Sequence, residues 1–150
     1  MDGTVHNLCY HIVLGTADRR PMIPPGLRKD LYGLFEELVR GSGGIVVGVG
    51  GIPNHVHLFV RLPPSVVVSE LVRVLKAEST RWARKTPGRD LEWGEGYGAF
   101  SVGQAQAPEV LRLLHHQERH HLRRSYAYEL LALINGGGAA HIAERVQILN

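Results

Sequence analysis

Apolar side chains recur along this chain with two different periods, and the change from one period to the other outlines its elements. Residues 4–15, TVHNLCYHIVLG, are rich in β-branched and aromatic types and predict a strand. ADRRPMIPPG follows and breaks regularity with prolines. Across residues 27–39, Leu27, Leu31, Leu34, Phe35 and Leu38 fall at helical spacing, and GSGG ends that helix. IVVGVGGI and HVHLFVRL predict two strands joined around a Pro-Asn turn. PPSVVVSELVRVLKAESTRWARK predicts a second helix, with Ser69 as its N-cap and Leu71, Val72, Leu75, Glu78 and Ser79 on successive turns. TPGRDLEWGEGYG is a loop, and AFSVG has the character of a short strand. Residues 107–122 predict a third helix and residues 126–134 a fourth, shorter segment.

The predicted order is β-α-β-β-α-β followed by a helix. That is the split order of an α+β, ferredoxin-like sheet with both crossover helices on one face. The other face is then open to a ligand or to the third helix. At 150 residues without internal repeats the chain is expected to form a single domain over 1–150, with a core of about 5–134 and a tail from 135 to 150.

Composition narrows the function only a little. An apolar content of 44% supports a real core and argues against global disorder. Net charge is +3, with basic residues grouped at Arg19–Arg20, Lys76–Lys85 and Arg119–Arg124. Local basic clusters suit nucleic acid better than acidic partners, although solvated surface charge explains the same residues. The single cysteine, Cys9, excludes an intramolecular disulfide and any multi-cysteine metal site. The longest apolar runs are too short and glycine-rich to span a bilayer, and the N-terminus has no basic start followed by an apolar block. A cytoplasmic protein without membrane contact is therefore expected.

The candidate chemistry lies in GIPNHVHLFV, residues 51–60. Residues i and i+2 of a strand share a face, so His55 and His57 point together while Val56 points away. Neutral imidazole is a common ligand for divalent metal, but two ligands do not complete a site. Two polar side chains on the solvent face of an alternating strand would look the same. Downstream, Gln117 lies among His115, His116, His120 and His121. That histidine group lacks thiolates and a clear tetrahedral set, so a polar helix face explains it as well as zinc does.

These pieces, taken in order, resemble the single-tyrosine HUH transposases of small insertion sequences and their relatives associated with repetitive extragenic palindromes. YHIVLGTADRRPMI is similar to that family's first strand and basic exit. GIPNHVHLFV carries its His-hydrophobe-His signature. LVRVLKAESTRW, WGEGYGAFSVG and HHQERHH followed by SYAYELLALI resemble its later helix, its loop and its tyrosine helix. The resemblance covers about residues 5–134. It implies a ferredoxin-like homodimer that binds single-stranded hairpin DNA and carries out transposition by strand cleavage and transfer. It also implies a divalent metal, Mg²⁺ or Mn²⁺, held by His55, His57 and Gln117. The metal would act on the scissile phosphate as Lewis acid and template, and a tyrosine would form the covalent intermediate.

The chain departs from the family at one position. The slot for the tyrosine, four residues before Gln117, holds Leu113 within VLRLLHHQ. Leucine has no nucleophilic atom. Either the chain binds hairpin DNA without cutting it, or a substitute such as His115, His116, Tyr126 or Tyr128 attacks, or the register of the tyrosine slot is displaced by one helical turn. Among further DNA contacts, Arg19 and Arg20 follow the first strand, and Lys76 and Arg81 lie on the second helix; ordinary surface charge uses the same residue types. Trp93 and Tyr97 could stack on bases or close over the core, the more common role of such aromatics. Glu129 resembles a family glutamate and could equally pair with an arginine. A metal-assisted hydrolase of small molecules would need a pocket that nothing in the sequence indicates.

Overall fold

The structure, a computed structural model, describes residues 3–117. Within it β1 spans Leu8–Gly15, α1 Pro25–Gly41, β2 Ile45–Ile52, β3 His55–Leu62, α2 Val68–Arg84, β4 Gly98–Ser101 and α3 Ala107–His115. Short 3-10 turns at Ala17–Arg19 and Gln104–Gln106 precede α1 and α3. The strands form one sheet in the order β2-β3-β1-β4, every pair antiparallel. This is the ferredoxin-like α+β arrangement that the order of periods predicts.

Strand alternation divides the sheet chemically. Ile12 and Leu14 of β1 and Val56, Leu58, Val60 and Leu62 of β3 join Leu31, Phe35 and Val39 of α1 and Leu71, Val72, Leu75 and Ala83 of α2 in one buried cluster. Each such fully buried aliphatic or aromatic side chain contributes about 1.5–3 kcal/mol. The odd-numbered positions point to the opposite face. There Cys9 and Phe59 pack with Leu114 of α3, flanked by Ala107, Val110 and Leu111. β3 is central and covered on both sides, which is why its His55 and His57 are as buried as its valines.

Local signals explain the element ends, with two differences from the sequence pattern. α1 opens with Pro25, whose missing N–H costs nothing in a first turn. α2 begins at Val68 with Val67 as its cap residue, so Ser69 lies inside the helix and caps nothing. A turn closed by Val66 N–H on Pro63 O leads the chain in two residues earlier than a serine cap would. α3 is interrupted after His115, where His116 leaves helical geometry at φ −118°, ψ 31°; Gln117 is helical again, and residues 118–122 of the predicted helix lie outside the described residues. The side-chain amide of Gln117 donates to Leu113 O at 2.7 Å and satisfies a carbonyl that the interrupted helix would leave open. The segment predicted for residues 126–134 lies outside the described residues. No described helix is long and apolar enough to cross a membrane.

Candidate metal centre

β3 sets the two histidines side by side. His57 lies opposite Val13 on one neighbour and Gly50 on the other, and His55 lies opposite Gly15 and Ile52. Their ring centroids are 5.0 Å apart and their planes cross at 72°. Both rings are fully buried. A buried imidazole without polar partners would be costly, so the groups around it determine what it does.

α3 supplies the third group, and glycines of β2 let it approach. A Cβ on Gly48 would come within 2.6 Å of the Leu111 side chain, and one on Gly50 within 1.8 Å of Leu114 O. Gly50 therefore admits the α3 backbone directly against β2, and Gly48 makes room for the Leu111 side chain. Leu114 anchors the helix against Cys9 and Phe59. Just past the helix end, Gln117 is 2% exposed, and its Oε1 lies 3.1 Å from His55 Nε2.

Hydrogen bonding fixes which atoms face each other. Asn54 Oδ1, a carbonyl oxygen that can only accept, lies 2.7 Å from His55 Nδ1, so that nitrogen carries the ring hydrogen. Gln117 Nε2 donates to Leu113 O, which turns the amide oxygen toward His55. In the neutral ring the His55 Nε2 lone pair then meets a carbonyl lone pair. A cation shared between the two atoms, or a second ring proton, resolves that opposition. His57 Nδ1 is engaged at 2.7 Å by Nε2 of His11, a buried residue of β1. A cation would therefore be held by His57 through Nε2.

This donor set, two imidazole nitrogens and an amide oxygen, suits a divalent metal of intermediate hardness. Among the described residues no three His, Cys, Asp or Glu side chains gather as a ligating group. The fit thus depends on the amide of Gln117, and His11 stands behind His57 rather than beside it.

The end of β1 is tied to the turn that carries Asn54. Thr16 N–H donates to Asn54 O at 3.0 Å, and the Thr16 hydroxyl bridges Asn54 O and Arg20 O. Asp18 and Arg19 there adopt left-handed backbone, at φ 50° and 55°. A cleft of about 610 Å³ opens beside Gln117, lined by Arg28, Tyr32, Gly50, Gly51, Leu114, His115 and His116 among others.

The other sequence candidates fare unequally. Leu113 is half-buried on α3, one helical turn before Gln117. His116 is exposed and borders the cleft. Arg20 pairs with Glu92 at 3.1 Å, both exposed. Lys76 does not project into solvent: its ammonium donates to Gly94 O and Gly96 O and holds the loop before β4. Burial pushes its pKa below the usual lysine range. Arg81 pairs with Glu78 on the same helix. Trp93 packs on the core, its indole N–H donating to Ser79 Oγ at 2.9 Å, whereas Tyr97 is exposed. His120, His121, Tyr126, Tyr128 and Glu129 lie outside the described residues. His11 was missed in the sequence, where a single histidine in an apolar strand resembles a core residue. The available signal was its position: an odd-numbered residue of β1 shares the open face with His55 and His57.

Comparison with known proteins bears on the family and the fold. The family model described as "Transposase IS200 like" matches residues 4–117. The ISDra2 transposase TnpA of Deinococcus radiodurans is 22% identical over 123 residues, covering 77% of this chain and 87% of that protein. The crystal structure of a candidate transposase from Deinococcus radiodurans R1 superposes with a TM-score of 0.61 at 22% identity, over 78% of this chain and 95% of that one. A REP-associated tyrosine transposase bound to a REP hairpin superposes with a TM-score of 0.62 at 13% identity, over 81% of this chain and 74% of that one. With the family model spanning every described element from β1 to the end of α3, the chain belongs to the IS200-like transposase family.

Proposed function

We propose that this protein binds single-stranded hairpin DNA at a site that holds Mg²⁺ or Mn²⁺ through His55, His57 and Gln117, and that it serves DNA transposition. The observation that carries this reading is the convergence of two buried rings and one buried amide, with the amide oxygen turned toward the His55 Nε2 lone pair. When bound, a divalent metal supplies Lewis-acid polarisation of a phosphate and a template for its approach. The chain's own part is to set the donors. Asn54 fixes the His55 tautomer, and the Gln117 amide is oriented by Leu113 O. Arg28 and Tyr32 line the adjacent cleft and are suited to backbone phosphates. The hairpin carried by a structural relative supports the choice of DNA.

Strand cleavage also needs a nucleophile, and Leu113 offers none. His116, at the edge of the cleft, is the described residue best placed to substitute, with Tyr126 a further candidate. A second reading, hairpin binding without cleavage, rests on the leucine alone. The resemblance also implies a homodimer, which sedimentation equilibrium would test.

Fluorescence anisotropy with hairpin and unstructured oligonucleotides, in Mn²⁺ or in chelator, tests the proposal. Hairpin binding should be tighter with metal. His57→Ala should weaken Mn²⁺ binding by at least the ~10–100-fold that losing an outer partner costs. Equal Mn²⁺ affinity in wild type and His57→Ala would refute the site. Covalent protein–DNA adduct, located by mass spectrometry, would separate cleavage from binding and name the attacking residue.

A further inference from the structure

His11 lies on β1 opposite Phe59, diagonal to His57, and is 1% exposed. Its ring is wedged between His57, at a centroid distance of 4.9 Å, and Phe100 of β4, at 6.1 Å. The contact with His57 is a hydrogen bond of 2.7 Å between His11 Nε2 and His57 Nδ1. Such a bond needs one donor and one acceptor, so only two arrangements exist. If His11 donates, His57 Nδ1 is the acceptor and the hydrogen of the neutral His57 ring sits on Nε2, where it blocks ligation. If His57 donates, the hydrogen sits on Nδ1 and the Nε2 lone pair is left available to a metal.

We propose that His11 is a positioning residue: its Nε2 accepts from His57 Nδ1–H and holds His57 in the tautomer whose Nε2 can bind a metal. This rests on the reading of His57 as a ligand. Ligating histidines are commonly oriented through their other nitrogen by a carboxylate, a backbone carbonyl or water. Here a second imidazole on the neighbouring strand does that work. Its own position is set by the β1–β3 and β1–β4 ladders and therefore needs no flexible loop. His11 is not a third ligand, because its Nε2 is occupied by His57 and no three-histidine ligating group exists among the described residues.

Long-range ¹H–¹⁵N NMR on the metal-free full chain reads the tautomer directly. His57 should show a protonated Nδ1 and a bare Nε2. A wild type with hydrogen on His57 Nε2 overturns the proposal without recourse to any variant. Two substitutions extend the test. His11→Gln can place an amide oxygen where the accepting nitrogen stands, whereas His11→Leu keeps bulk and removes the acceptor. His11→Leu should shift His57 toward the other tautomer and weaken Mn²⁺ binding by ~10–100-fold, and His11→Gln should restore most of both. A His11→Leu protein with wild-type tautomer and wild-type Mn²⁺ affinity refutes the role. A wild type with the expected tautomer, sensitive to His11→Leu, that takes up no Mn²⁺ would refute the metal reading while supporting the bond to His11.

Discussion

Replacing Gly50 with alanine should dislodge α3 while leaving the main core intact. The added Cβ would lie 1.8 Å from Leu114 O and 2.6 Å from Leu114 C. Carbon–oxygen contacts settle near 3.3 Å, so the helix backbone must retreat by about 1.5 Å. No rotamer relieves the clash, because the obstacle is backbone. Retreat would loosen Leu114 from Cys9 and Phe59, with an overpacking cost of about 1–3 kcal/mol. It would also carry Gln117 Oε1, now 3.1 Å from His55 Nε2, beyond any shared coordination. The larger cluster around Phe35 and Leu58 lies on the far face of the sheet and should be untouched. Thermal unfolding should therefore show a Tm several degrees lower. Hydrogen exchange should speed up in α3 selectively, and calorimetry should show Mn²⁺ affinity falling at least as far as for an outer-partner loss, ~10-fold or more. Gly33→Ala on α1 is the control. Its Cβ would meet nothing within 4 Å, so it should be neutral or stabilising by about 0.5–1 kcal/mol. Unchanged α3 exchange together with unchanged Mn²⁺ affinity in Gly50→Ala would refute the idea that glycine contact seats the third ligand.

Other outcomes follow from the same geometry. Leu113→Tyr should give a covalent adduct with hairpin oligonucleotide in Mn²⁺, visible on a denaturing gel, well above the wild-type level; equal adduct in the two would remove position 113 as the missing nucleophile. Ser79→Ala should cost about 1–3 kcal/mol in urea unfolding, because the Trp93 indole N–H that donates to Ser79 Oγ loses its acceptor. Lys76 has a native pKa below its ordinary 10.5, so the unfolded chain binds more protons in the window beneath that value and stability should rise with pH there. Lys76→Met should lack that rise when unfolding is compared at pH 8 and pH 10.

The order of strands and helices was legible because each period is long and cleanly bounded; Leu31, Phe35, Leu71 and Leu75 fall where the pattern puts them. The pairing of His55 and His57 was legible too, since i and i+2 on a strand must share a face. What was hidden depended on contacts between elements. The interruption of α3 after His115, where the Gln117 amide takes Leu113 O, is announced by no helical period. The glycines at 48 and 50 resemble weak points of a strand until a helix lies against them. Contacts of basic residues are hidden in a similar way. Lys76 matches a phosphate contact by type, yet two backbone carbonyls 18 and 20 residues downstream take its ammonium. The role of His11 needed the β1–β3 register, which sets it opposite Phe59 and diagonal to His57; its odd-numbered position alone gives only the shared face.

Anomalous diffraction from crystals grown with Mn²⁺ tests most directly whether the two rings and the amide form one cation site. A single strong peak in contact with His55 Nε2, His57 Nε2 and Gln117 Oε1, lost in His57→Ala, is the expected result. Crystals saturated with Mn²⁺ that show no peak there, or show it only at other residues, would contradict it.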